Sequence, residues 1–119
     1  MTAKLIIREA GIDDIPILTQ NNLALAKETE GLQLDNDVLR QGIEQALTRK
    51  ECHYFVAEQQ TQVVGQTMIT YEWSDWRNGI IWWIQSVYVS PLFRKQGVFR
   101  NLFNHIERLA HSNPQVKAL

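Results

Sequence analysis

The sequence predicts an α/β protein of the α+β kind, with a mixed, mostly antiparallel central sheet flanked by helices. Three observations carry that expectation. Between His53 and Val89 three extended segments follow one another across short polar turns, the pattern of an antiparallel meander. Leu39 to Leu47 and Phe99 to Ala110 instead repeat their apolar residues at intervals of three and four, the spacing of helices with one buried face. The 119 residues, 45% of them hydrophobic, suffice for one cored domain and are too few for two.

Taken in order, KLIIR (Lys4 to Arg8) is a short β-branched run, and Glu9 to Gly11 turn it. Asp13 and Asp14 before Pro16 are the acidic cap and early proline that open a helix. Its apolar face takes Ile15, Leu18, Leu25 and Ala26, interrupted by the polar Asn22. Glu28, Glu30 and Gly31 end that pattern. Asp35 or Asn36 caps a second helix whose stripe is Leu39, Gly42, Ile43, Ala46 and Leu47. HYFVAE, the turn QQTQ and VVGQTMITYEW form a hairpin, and Asn78-Gly79 supplies the next tight turn. In the third segment, IIWWIQSVYV, the adjacent Trp82 and Trp83 must face opposite sides, so coverage on both faces is expected. A helix after Gly97 then buries Phe99, Leu102, Phe103, Ile106, Leu109 and Ala110. Beyond the Ser112 to Pro114 break, Val116 to Leu119 begins another strand.

Bulk properties narrow the function. Twelve basic and thirteen acidic residues leave a net charge of −1, which provides no global field for nucleic acid or an anionic membrane. Cys52 is the single cysteine, so no internal disulfide forms, and no Cys/His spacing resembles a zinc site. The N-terminal apolar run is too short for a signal-peptide core, and no segment reaches the roughly 18 residues that span a bilayer. A cytoplasmic, metal-free protein is the expectation.

The chemistry concentrates in SVYVSPLFRKQGVFR, Ser86 to Arg100. A strand, a basic loop with a glycine and a helix start offer free backbone N–H groups and the positive end of a helix dipole, which together suit a phosphate. Neither the G-x-x-x-x-G-K-[ST] loop nor the G-x-G-x-x-G turn is present.

These residues resemble the GNAT superfamily of acyl-CoA-dependent N-acetyltransferases. The match is to that family's motif A, an SVYV-like strand followed by R/Q-x-x-G-x-G/A at a helix start. Here it reads Ser86 to Val89, then Arg94-Lys95-Gln96-Gly97-Val98-Phe99. Phe99 stands where the family has a second small residue, and its place on the apolar stripe turns the ring toward the core. The order of elements follows the family along nearly the whole chain. The resemblance implies that Val87, Tyr88 and Val89 bind the pantetheine arm of acetyl-CoA. It likewise implies that Arg94, Lys95, Gln96, Gly97, Val98, Phe99 and Arg100 bind the diphosphate.

The implied reaction is direct transfer of an acetyl group from acetyl-CoA to a primary amine of a small molecule or peptide. Glu72 and Glu28, with Glu30 behind them, lie where the family's acceptor site falls and are the candidate bases; a water-relayed proton is the other route. Family domains continue past this point through a whole fifth strand, a further helix and two strands. A domain incomplete at its C-terminus is therefore expected, either a truncated chain or one completed by a partner chain. A homo-oligomer that completes the sheet follows, as does the alternative of a catalytically impaired CoA-binding or assembly module. Trp73, Trp76, Trp82 and Trp83 read as core or interface groups, and His53, His105 and His111 as structural ones.

Overall fold

Five strands form one sheet in the order β1 (Leu5–Glu9), β2 (Cys52–Gln59), β3 (Gln62–Ser74), β4 (Gly79–Val89) and β5 (Val116–Ala118). The first four are antiparallel neighbours, whereas β5 runs parallel to β4. Helices α1 (Ile15–Glu30) and α2 (Asn36–Ala46) lie on one face and α3 (Val98–His111) on the other. This computed structural model describes residues 4–119. Among them no helix is long and apolar enough to cross a membrane.

Alternation along the strands divides the core in two. Phe55, Ala57, Val64 and Ile69 point toward α3 and meet Val98, Leu102 and Ile106. Tyr54, Val56 and Val63 point the other way and meet Ile15, Leu18 and Ile43. The β2–β3 hairpin closes through Gln60 and Thr61, both at positive φ (50° and 63°), as a two-residue loop requires to match strand twist.

Several local expectations change on inspection. Asp14 does not cap α1 with its side chain. Its carboxylate accepts instead from the Gly11 N–H at 2.7 Å and pairs with Arg8 at 2.8 Å, tying β1 to the start of the helix. Asn22, the polar break in the α1 stripe, is buried and donates to the Leu18 carbonyl and the Tyr54 hydroxyl. In the turn after β3 it is Asn78 that takes the positive φ, 49°, while Gly79 belongs to β4. A Cβ on Gly79 would lie 2.8 Å from the Gln115 carbonyl, so this glycine serves the close approach of β5. Trp82 packs into the α3-side core, but Trp83 remains 50% exposed, so β4 is not covered on both faces along its length.

The Arg8 guanidinium holds the Asp14 carboxyl below its ordinary range, against the opposing effect of burial and with help from the Gly11 N–H. Because the folded value is depressed, the stabilisation is present above the unfolded value of about 3.9 and is lost as pH falls through the folded one. Asp14→Asn is expected to cost about 2 kcal/mol at neutral pH and to flatten the acid limb of a melting-temperature profile below about pH 4.

Candidate functional site

The site begins with an irregularity in β4. Gln66 pairs with Tyr88 and Met68 with Gln85, so Ser86 and Val87 stand opposite Thr67 alone. Ser86 takes φ 52°, a left-handed conformation that costs a non-glycine residue about 1–2 kcal/mol. Neighbouring side chains hold it there. Thr67 Oγ1 donates to the Gln85 carbonyl at 2.9 Å, and Gln66 Nε2 donates to the Ser86 carbonyl at 3.1 Å, both from fully buried residues. Tyr54 lies beneath, its hydroxyl pushed up by burial and partly offset by hydrogen bonds with Asn22 and Ser86.

The bulge sits beside an opening in the sheet. Among the described residues β5 pairs with β4 only at Ile80 and Ile81, which leaves the β4 edge from Trp82 to Val89 without a neighbouring strand. Such an edge presents unpaired N–H and C=O groups to any extended, amide-bearing molecule.

Beyond β4 the chain makes a short turn, Pro91–Phe93, anchored by the Ser90 N–H on the Val64 carbonyl at 2.9 Å. Lys95 (φ 64°) and Gly97 (φ 82°) both take left-handed conformations, and α3 starts at the next residue. The first intrahelical bond reaches the Gly97 carbonyl from Asn101 at 3.0 Å. Among the described residues no side chain caps this helix, so the N–H groups of Val98, Phe99 and Arg100 face outward with the positive end of the dipole. They border a groove of about 520 Å³ lined by Val89, Phe93, Arg94, Lys95 and Phe99. Gly65 sets the depth of the helix start, since a Cβ there would fall 2.7 Å from Val98 Cγ1.

Phe99 corrects one expectation. The residue is 40% exposed, and its ring packs against that of Phe103 with centres 6.2 Å apart, on the wall of the groove instead of in the core. The contact between α3 and the sheet is narrow enough to bury Leu102, Ile106 and Ala110 while leaving the flanks of the stripe open.

Arg94 crosses from this groove to the other side of β4. Its Nε donates to the Val89 carbonyl at 2.8 Å, its Nη2 reaches the Glu28 carboxylate at 3.0 and 3.3 Å, and its guanidinium lies 5.2 Å from the centre of the Tyr88 ring. Arg94, and after it Tyr88, holds the Glu28 carboxyl below its ordinary range. A cleft of about 320 Å³ opens there between Leu25, Glu28, Thr29, Val87, Tyr88 and Arg94. A second, also about 320 Å³, continues past Asn22, Leu34 and Ser86.

The structure thus gathers Val87, Tyr88, Val89, the Arg94 to Arg100 loop and Glu28 around one end of β4. Glu72 is elsewhere. It accepts a hydrogen bond from the Trp83 indole at 2.6 Å and pairs across the sheet with Ile81, five residues and roughly 17 Å along β4 from Ser86. The buried frame of Asn22, Tyr54 and Gln66 was not among the expected site residues, although Asn22 left a trace as the break in the α1 stripe. Cys52 hangs on the Ala46 carbonyl with its thiol pushed up by burial, unlike a nucleophile.

The family model for the acetyltransferase (GNAT) family matches residues 20–119. A possible acetyltransferase from Clostridium difficile 630 is 44% identical; the alignment covers 96% of this chain and 76% of that one, with a TM-score of 0.89. A predicted acetyltransferase with acetyl-CoA from Clostridium acetobutylicum superposes with a TM-score of 0.74 at 16% identity, covering 98% and 80%. A GNAT family acetyltransferase from Staphylococcus aureus reaches 0.77 at 16% identity, covering 99% and 84%. No curated protein matches the chain.

Proposed function

Since the chain belongs to the GNAT acetyltransferase family, we propose that it transfers the acetyl group of acetyl-CoA to a primary amine of a small molecule or peptide. The observation that carries this reading is the continuity of two features. An uncapped helix start at Gly97 and an unpaired strand edge at Val87 to Val89 lie end to end, matching a diphosphate followed by an amide-bearing arm. The solved relative with acetyl-CoA supports the same donor.

In this reading the N–H groups of Val98, Phe99 and Arg100 hold the diphosphate, with Lys95 adding charge at the rim. Main-chain groups of Val87, Tyr88 and Val89 align the pantetheine arm. The bulge at Ser86 then lies at the thioester, where main-chain N–H groups released from the β3 ladder stabilise negative charge on the carbonyl oxygen. The amine nitrogen bonds to the acyl carbon, the C–S bond breaks, and the departing thiolate takes a proton from solvent. Glu28, directly or through water, takes the proton that frees the lone pair of the ammonium for attack, and the second proton of the nitrogen passes to solvent as the C–S bond breaks. No step is assigned to Glu72, and Glu72→Gln is expected to leave turnover within about two-fold of wild type across pH.

Release of free CoA thiol in the presence of acetyl-CoA and a panel of primary amines tests the activity. Amine-dependent release is expected; release no faster than hydrolysis with every amine would leave a donor-binding module. The exposed Trp73, Trp76 and Trp83, with the part of the β4 edge from Trp82 to Gln85 that the donor leaves open, also support self-association. Sedimentation is expected to show a dimer, and a monomer that binds CoA with full affinity would contradict it.

A further inference from the structure

Arg94 lines both the groove at the start of α3 and the cleft beneath α1. It is the charged residue common to the two, and its guanidinium is committed to the cleft side, on Glu28. We propose that Arg94 is an exchangeable ligand: donor diphosphate draws it off Glu28, and the cationic amine of the acceptor takes its place on that carboxylate. Glu28 is then the residue that selects a cationic acceptor, and it does so only after the donor has bound. The inference rests on the proposed donor site.

Charge decides the direction of the exchange. A diphosphate carries more negative charge than one carboxylate and can engage two nitrogens of a guanidinium that offers Glu28 only Nη2. It would also sit against the uncapped start of α3, where the dipole already favours anions. The ion pair to be broken is half-exposed on both sides and opposes the exchange weakly; the guanidinium must also swing about its Nε bond to the Val89 carbonyl and leave its place 5.2 Å from the Tyr88 ring centre.

What remains on the cleft side is unbalanced. Glu28 lies in the last turn of α1, where the carbonyl end of the helix is itself negative. Glu30 lines the adjoining cleft, while Lys27, the basic residue of that turn, lines neither. With Arg94 withdrawn, a carboxylate, a helix C-terminus and a second acid face a space bounded by Leu25 and Thr29. That environment attracts an ammonium group.

Calorimetric titration of CoA into the full chain tests the exchange. Glu28→Gln, which removes the competitor, is expected to bind CoA about 3- to 5-fold tighter than wild type. Arg94→Gln is expected to bind about 10-fold weaker. Adding Glu28→Gln to Arg94→Gln should change nothing further, because the gain acts through the guanidinium. Unchanged or weaker binding by Glu28→Gln, or a gain that persists without Arg94, overturns the exchange. Wild-type chain that fails to bind CoA overturns the donor site itself, a distinct result. For the acceptor half, diaminobutane should bind CoA-saturated chain more tightly than free chain, and Glu28→Gln should remove that difference. Equal affinity with and without CoA contradicts it.

Discussion

Leu102→Ala is expected to cost about 3–5 kcal/mol. Leu102 is fully buried between α3 and the sheet and lies beside Gly65, where α3 makes its closest approach to β3. Truncation opens a cavity that Gly65, with no side chain, cannot fill. A domain of this size has roughly 5–15 kcal/mol in total, so the loss is a large share of what holds it folded. The expected result is a fall in melting temperature of roughly 12–20 °C. Leu109→Ala, on the partly exposed flank of the same helix, should cost less than about 1 kcal/mol. Similar melting temperatures for the two variants would contradict the placement of the α3 core.

The second large effect concerns binding. Gly97→Asp is expected to lower CoA affinity about 100-fold, or ~2.7 kcal/mol, by placing a carboxylate beside the uncapped N–H groups of α3. The fold should tolerate it. Gly97 has φ 82°, a Cβ there would meet nothing closer than Asn101 Nδ2 at 3.8 Å, and aspartate enters the left-handed region more readily than most residues. Gly97→Ala carries the backbone strain without the charge and should lose less than about 10-fold. Titrations of both variants separate the two contributions. Equal losses would assign the effect to strain, and no loss in either would move the anion site away from α3.

The features readable in the sequence are those set by local periodicity and local charge. The meander, the α3 stripe, the turn at Gln60 and Thr61, and the helix start after Gly97 all follow from residues close in sequence. Those that were not readable depend on contacts across the fold. SVYV looks like a regular strand, and the bulge at Ser86 is held by Gln66 and Thr67 on another strand and by Tyr54 from a third. The Arg94–Glu28 pair joins positions 66 residues apart. Apolar spacing puts Phe99 and Trp83 on covered faces because it says which way a side chain points but not how far the neighbouring element extends. The Asn78-Gly79 pair suggests a turn glycine chosen for its freedom in φ, whereas its missing side chain is what β5 requires.

The continuity of the α3 anion site with the open β4 edge is the central claim, and calorimetric titration with acetyl-CoA beside AMP tests it most directly. AMP can occupy a phosphate site but has no arm to lie along Val87 to Val89. Acetyl-CoA should therefore bind at least about 100-fold more tightly than AMP, the surplus coming from the second phosphate and the strand edge together. Comparable weak binding of the two would show a phosphate loop without a pantetheine site and would contradict the account.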